Sequence, residues 1–517
     1  MQSKKTVKAS KKKTGAGKKP AAAKKGGGAR RKAREVRVRM YRQGLGDCFL
    51  LTFPRDPEPF HMLVDCGALK SKHYGNEQMK AVVGHIRQTL GDEAAGRARK
   101  KSPARLDVVA GTHEHWDHIS GFWQAREIFD ELDVKKVWVA WTEEPENEVA
   151  KRLKKEFKKK KTAVANAMAL IPENKKSEER LGVYRAAISE LFGFFGGLGA
   201  DAASPGGTQE AWDYMLGLGR KEYCDPKKTP LEIEGVEGAR VYILGPPEDP
   251  DYIRRKLSKT ETYDEGKHGL SLFDSFMAAV GGDDVDFADD RKRALPFDEY
   301  HRVEPDAARG SAFFQRHYGF DEGGEDEWRR IDHDWLNMAG QLALHLDSYT
   351  NNTCLAFAVE LGEPGEGKVL LFPGDAQVGN WLSWGELTWQ VKNSKGEKRE
   401  VTAEDLLGRT VLYKVGHHGS HNATMRRKGL EMMKSPELVA MIPVHRPTAE
   451  DQKWEFPYRP LWEALKRKAR GRVLLADAPD MSEIESEIDS LLSADERRSF
   501  EKATTFDDLY VEYRVRY

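Results

Sequence analysis

Cysteine is scarce. The four residues Cys48, Cys66, Cys224 and Cys354 in a chain of 517 are too widely spaced to form a C-x-x-C pair, so neither a zinc knuckle nor a disulfide framework is indicated. Three of the four lie in apolar, strand-like contexts, where cysteine serves as a small core residue, and a reducing cytoplasm is the expected location. Long apolar runs are missing too. No stretch approaches the ~18 consecutive apolar residues of a membrane span, and the longest candidate, Leu191 to Ala200, is short and broken by glycine. Acid is missing from one region: residues 1–34 hold eleven Lys and three Arg with no Asp or Glu, and no apolar segment of a secretory signal.

That asymmetry hides behind a formal net charge of +1. With the 14 bases of residues 1–34 set aside, 70 bases face 83 acids in the remainder, a net of −13. A basic arm is thus joined to an acidic body. The arm is Lys, Ala and Gly without apolar periodicity, so it cannot bury enough surface to offset its ordering entropy and is expected to be disordered. It suits a nucleic-acid partner, through phosphate contacts that release counterions; a solubilising tail is the alternative. The length allows two to four domains and an ample core.

Chemistry concentrates at Gly111 to Phe122, reading GTHEHWDHISGF. It follows the β-branched apolar run Leu106 to Ala110, which reads as a buried strand closed by Gly111. In an extended loop His113, His115 and Asp117 project to one side, while His118 enters the next helix. Imidazole and carboxylate are ligands for borderline and harder cations, and a catalytic ion keeps a position open for water. A polar loop that happens to be rich in histidine is the plainer reading.

H-x-H-x-D-H after a strand resembles the signature of the metallo-β-lactamase superfamily. Asp65-Cys66-Gly67 resembles its first motif, Pro373-Gly374-Asp375-Ala376 the Gly-Asp of a bridging carboxylate, and Lys414-Val415-Gly416-His417-His418-Gly419-Ser420 the last ligand histidine. The HHGS string, Gly44-Leu45-Gly46-Asp47-Cys48 and Asn351-Asn352-Thr353-Cys354 are most similar to the soluble hydrolase domain of ComEC/Rec2 competence proteins. The likeness covers roughly residues 36–142 and 340–480.

The resemblance implies an α/β fold, a four-layer αββα sandwich, with one or two divalent metal ions, Zn²⁺ or Mn²⁺. His113, His115 and Asp375 would hold one ion, and Asp117, His118, Asp375 and His417 the other. Asp65 would orient a ligand histidine, a turn-forming role being the alternative. Asn351 occupies the place where several branches carry a further histidine. His345 is nearby, but its alternating context QLALHLD favours a sheet surface. Asp117 would accept a proton from the water and His418 protonate a leaving oxygen, with the reverse assignment of His417 and His418 left open. Ser420 would bind a substrate phosphate or cap the next helix.

Along the chain, strands are expected at Val36 to Tyr41, Asp47 to Phe53, Phe60 to Cys66 and Lys136 to Thr142. Helices are expected at Tyr74 to Leu90 and Ile119 to Leu132. Arg240 to Gly245 resumes the sheet pattern. Further strands follow at Gln341 to Leu346, Cys354 to Leu361, Val369 to Phe372, Val411 to Val415 and Leu438 to Val444. The hydrolase domain would span 35–480, interrupted by insertions at about 143–238 and 248–337 that form a helical cap. Within the first, the lysine-rich 151–161 reads as a solvated helix face or a nucleic-acid patch. Residues 481–517 would add a helix and a strand. The leading expectation is a phosphodiesterase or nuclease acting through a metal-bound hydroxide; hydrolysis of a small ester, lactone or phosphate is second, and a non-catalytic binding protein third.

Overall fold

The computed structural model describes residues 34–95, 104–169, 207–253, 261, 303, 305–318, 348–422, 424–452 and 454–517. The arm up to Ala33, most of the second expected insertion and His345 lie outside the described residues. The chain divides into two units, Met1–Ala33 and Arg34–Tyr517, and every element below belongs to the second. Among the described residues no helix is long and apolar enough to cross a membrane.

The fold is mixed α/β with two large mixed sheets. The first takes strands β1 (Glu35–Tyr41), β2 (Cys48–Phe53), β3 (Phe60–Cys66), β4 (Arg105–Ala110), β5 (Asp133–Ala140) and β6 (Arg220–Cys224). The second takes β7 (Leu231–Glu232), β8 (Ala239–Gly245), β9 (Ala356–Leu361) and β10 (Lys368–Phe372). After a separate hairpin, β11 (Thr388–Lys392) and β12 (Lys398–Thr402), it continues with β13 (Thr410–Lys414), β14 (Val439–Ile442) and β15 (Val473–Leu475). The last two strands, β16 (Thr504–Phe506) and β17 (Tyr510–Arg516), return to the first sheet, whose order is β16-β17-β1-β2-β3-β4-β5-β6. The second runs β15-β14-β13-β10-β9-β8-β7.

Side-chain alternation explains how the sheets pack. On the β1 to β3 surface, Val36, Val38, Met40, Phe49, Leu51, Met62 and Val64 share one buried cluster with Val241, Ile243, Phe357, Leu370 and Met441 of the second sheet. Phe372 lies across that shared layer, edge-on to Phe49 at 5.9 Å and stacked on Phe357 at 5.4 Å between centroids. Burying one such ring contributes about 1.5–3 kcal/mol. The intervening residues point the other way. Leu50, Leu63, Val109 and Val139 pack with Val83, Ile86, Phe122 and Trp212 from helices Asn76–Ala95, Trp116–Gln124 and Thr208–Gly217. Tyr242, Ala358, Leu371 and Tyr413 pack with Trp381, Leu406 and Leu461 from helices on the far face of the second sheet. Alternation along most of these strands therefore gives each sheet a sheet-facing and a helix-facing side.

Two stretches differ from the sequence reading in where they belong. Residues 208–224, within the expected insertion, supply a helix to the outer layer and β6 to the edge of the first sheet, pairing parallel with β5. The C-terminal residues are integral as well, since β17 pairs antiparallel with β1 from Glu35 opposite Arg516 to Tyr41 opposite Tyr510.

The topology also fixes where chemistry can occur. β3, β4 and β5 run parallel, as do β10, β13, β14 and β15. Loops leaving the carboxyl ends of β3, β4, β10, β13 and β14 carry Gly67, His113, Asp375, His417 and Pro443 respectively. The crevice at such strand ends is where open α/β sheets place ligands.

Candidate metal centre

Three loops meet there backbone to backbone. Asp47 N–H donates to Asp117 O (3.0 Å) and Gly67 N–H to Asp47 O (2.9 Å). A Cβ on Gly46 would stand 2.4 Å from Gly67 O and 2.5 Å from Asp117 O, and one on Gly67 would stand 2.4 Å from the Asp117 carbonyl carbon. Only glycine permits that approach, which accounts for both glycine-containing motifs around Asp47 and Asp65.

Asp65 is fully buried with a left-handed backbone (φ 54°). Its Oδ1 accepts from Thr112 N–H and its Oδ2 from Thr112 Oγ1–H, both at 2.7 Å, and Oδ2 also lies 2.8 Å from His118 Nδ1. That contact places the ring proton on Nδ1 and turns Nε2 toward the crevice. There Nε2 is 3.1 Å from Asp375 Oδ2 and 3.5 Å from Asp117 Oδ2.

His418, also left-handed (φ 53°), is fixed the same way: Nδ1 donates to Pro443 O at 2.7 Å, and Nε2 stands 2.9 Å from Asp117 Oδ2. Asp375 follows Gly374, and its N–H donates to Cys354 Sγ at 3.2 Å. Its Oδ1 accepts from His417 N–H (2.9 Å) and from Lys414 Nζ (3.2 Å). The Lys414 ammonium also donates to Gly374 O at 2.9 Å and pairs with Asp47.

Asp117, His118, Asp375 and His418, all buried, thus present ligand atoms within 4.8 Å of one another and can hold a metal ion. Asp47, Asp65 and His118 form an adjoining group. Asp117 Oδ1 is buried without a hydrogen-bond partner among the described residues.

The electrostatics follow from burying four carboxylates around one lysine. Burial alone would raise the Asp375 carboxyl, but His118 and Lys414 outweigh it and hold it well below its usual range. Burial would depress the His118 imidazole, yet Asp375, Asp47, Asp117 and Asp65 raise it well above its usual value. His418 is raised as well, because the hydrogen bond and charge of Asp117 overcome burial. Asp47 is raised by burial despite Lys414.

The other expected residues sit around this group. His113 and His115 are buried beside it, with His113 Nε2 3.0 Å from His115 Nδ1 and the His113 ring 4.1 Å from that of His118. Burial pushes His115 down to about 3 and His113 well below its ordinary value. His417 contributes its N–H to Asp375, but its ring turns to Ser420 Oγ, 3.0 Å from Nδ1, and is not in the four-residue cluster; burial pushes it down to about 4. Ser420 also donates to Asn422 Oδ1 at 3.0 Å. Asn351 is fully buried, its carbonyl accepting from Cys354 N–H at 3.3 Å, and it is likewise outside the cluster.

Sequence reasoning gave no role to Thr112, Asp47 or Lys414. The signal for the last was available: Lys414 is a lone charge closing the apolar strand TVLYK, and it is only 1% exposed. A cleft of about 470 Å³ lies beside His113. Its walls include Leu153, Phe157, Trp212 and Tyr349, with Lys154, Lys158 and Lys161 from helix Glu148–Ala169.

The fold and the centre together define a mixed α/β protein with a buried His/Asp site suited to a divalent cation. Compared with known proteins, the chain matches no family model and no curated protein.

Proposed function

We propose that this chain is a metal-dependent hydrolase with the four-layer sandwich of the metallo-β-lactamase superfamily, acting on phosphodiesters. The observation that carries the reading is the convergence of Asp117 and His118, from the first turn of helix Trp116–Gln124, with Asp375 and His418, from the segments after β10 and β13, at the carboxyl ends of parallel strands. The residues fit a cation: two imidazoles are aimed by partners at their far nitrogens, two carboxylates face them, and Asp117 Oδ1 lacks a donor. This mixed nitrogen and oxygen set suits Zn²⁺ or Mn²⁺.

A bound divalent ion lowers the pKa of water to roughly 7 and neutralises charge on a phosphoryl oxygen. The side chains supply the rest. Asp117 has an oxygen free of donors and can accept a proton there. His417, outside the cluster and hydrogen-bonded to Ser420, is left to position the substrate beside the cation. Asp65 holds His118 in one tautomer throughout.

The basic residues 1–34 favour nucleic acid as the polymer substrate. The cleft beside His113 favours a second reading, a small ester, lactone or phosphate, since apolar walls with a few polar groups are characteristic of small-molecule sites. The test is elemental analysis of protein purified without chelator, followed by turnover of a chromogenic phosphodiester, single-stranded DNA, RNA and small esters, with and without chelation. Bound metal and chelator-sensitive phosphodiester cleavage are expected. A protein that holds no metal and takes up neither Zn²⁺ nor Mn²⁺ would falsify the proposal.

A further inference from the structure

The lysine-rich helix Glu148–Ala169 turns one face toward the metal centre. Leu153, Lys154, Phe157, Lys158 and Lys161, spaced as neighbours on one side of a helix, all line the cleft of about 470 Å³ beside His113. That cleft adjoins the cation position through Thr112 and His113, which belong to its walls. Thr112 Oγ1 is 3.4 Å from His118 Nδ1, and the His113 ring lies 4.1 Å from that of His118. Two chemistries are combined in the lining. Part is apolar: Phe157, half-buried, stacks on the buried Tyr349 with centroids 5.6 Å apart and planes at 20°, and Trp212 adds a second ring. Part is cationic. Lys154 is engaged by Glu143 at 2.8 Å, a carboxylate that Trp212 Nε1 also reaches at 3.2 Å, whereas the exposed Lys158 pairs with no acid among the described residues. Thr208 adds a hydroxyl, its Oγ1 buried without a hydrogen-bond partner among the described residues. Glu114 and Asp213 line the cleft as well, so charge alone does not select its occupant. A flat ring that carries an anionic group matches the apolar wall, the lysines and the hydroxyl together.

We propose that this cleft is a nucleotide subsite. It holds one nucleotide of a single strand beside the phosphodiester at the cation, with the base against Phe157, the phosphate at Lys158 and Lys161, and Thr208 Oγ1 on the sugar or phosphate. Its volume is that of a small-ligand site, with room for one such unit and none for a duplex. A base reaches an aromatic wall only once it has left the paired stack. The inference rests on the phosphodiesterase reading and goes beyond it: a helix from the expected insertion takes a task in substrate binding, and an unpaired base becomes part of what is recognised.

The experiment uses the full chain with divalent ions chelated, so that nothing is cut, and two labelled probes of equal charge, a thymidine trinucleotide and its abasic counterpart, with Kd from fluorescence anisotropy. Residues 1–34 meet the same phosphates in both probes, so the ratio of the two Kd values reads the base. The thymidine probe is expected to bind about 5- to 150-fold tighter, the effect of stacking one base. Phe157→Leu keeps an apolar side chain against Tyr349 but removes the ring, and is expected to abolish the preference; Phe157→Tyr is expected to keep it. Lys158→Ala is expected to weaken both probes alike. Equal affinities in the unmodified protein would overturn the inference, as would a preference that survives in Phe157→Leu folded by circular dichroism, or unchanged binding of both probes by Lys158→Ala. Metal uptake and chelator-sensitive turnover of a chromogenic diester, measured in parallel, separate the two readings. If both are seen without a base preference, the subsite alone falls; if neither is seen while the preference holds, the hydrolase reading alone falls.

Discussion

Asp65→Asn isolates one interaction of the centre with little change of shape. Asparagine tolerates the left-handed backbone that Asp65 adopts (φ 54°), so the substitution tests hydrogen bonding and not strain. The carboxylate receives Thr112 N–H, Thr112 Oγ1–H and the His118 Nδ1 proton at 2.7, 2.7 and 2.8 Å. An amide has one oxygen for these donors. If that oxygen stays on Thr112 N–H, the NH₂ faces His118 Nδ1 and drives the ring proton to Nε2, the atom that points at Asp375 and the cation position. If the amide turns round, Thr112 N–H is left buried against another donor. Either outcome weakens the cation site. Losing a partner of this kind lowers metal affinity about 10–100-fold, or about 1.4–2.7 kcal/mol. Competition against a chromophoric chelator measures the Kd, with circular dichroism of the metal-free protein as the folding control. A Kd within about twofold of the unmodified protein, in a folded variant, would show that Asp65 does not govern His118.

Two further outcomes are expected. His418→Ala should lower metal affinity by more than the roughly 100-fold attributed to outer partners, whereas His417→Ala should keep the metal and lose turnover on the order of 100-fold; metal content and rate measured on both variants decide it, and the opposite pattern would make His417 the ligand. Deleting residues 2–34 should weaken nucleic-acid binding and flatten its salt dependence while hydrolysis of a small chromogenic diester persists. Binding isotherms at two salt concentrations check this, and an unchanged slope would assign the arm to some other task.

Local pattern carried much of this. The strand before Gly111 and the placing of His113 and His115 on the loop after it follow from a short β-branched run closed by glycine, and β4 ends at Ala110 as that pattern requires; Asp117, expected on that loop, instead joins His118 in the first turn of helix Trp116–Gln124. Alternation in β1 and short apolar runs elsewhere likewise located β1, β2, β3, β9 and β10 to within a residue or two. The choice between His417 and His418 was not legible, since both have left-handed backbones (φ 47° and 53°) that break any period, and the ring of His418 is set by a carbonyl from β14, Pro443 O. Lys414 and Asp47 lie 367 positions apart, reckoned from their numbers, and find each other only when the two sheets come together. β17 was visible as a strand, but its partner was not, because pairing over such a separation leaves no local trace.

That pairing has a consequence for how the protein is made. Ribosomes add about 5–20 residues per second, and Glu35 meets Arg516 across 481 positions, so β1 waits on the order of 25–100 s for the strand that covers its edge. During that interval it presents unpaired N–H and C=O groups, the template on which nascent chains aggregate. Its own sequence, EVRVRMY, supplies a guard, with charges at Glu35, Arg37 and Arg39 alternating with the buried Val36, Val38 and Met40. Once β17 arrives, the guard is converted into cohesion: Arg39 pairs with Glu512 at 2.6 Å and Glu35 with Arg516 at 3.0 Å. The same charges that keep the growing chain soluble become the latch that closes its first sheet.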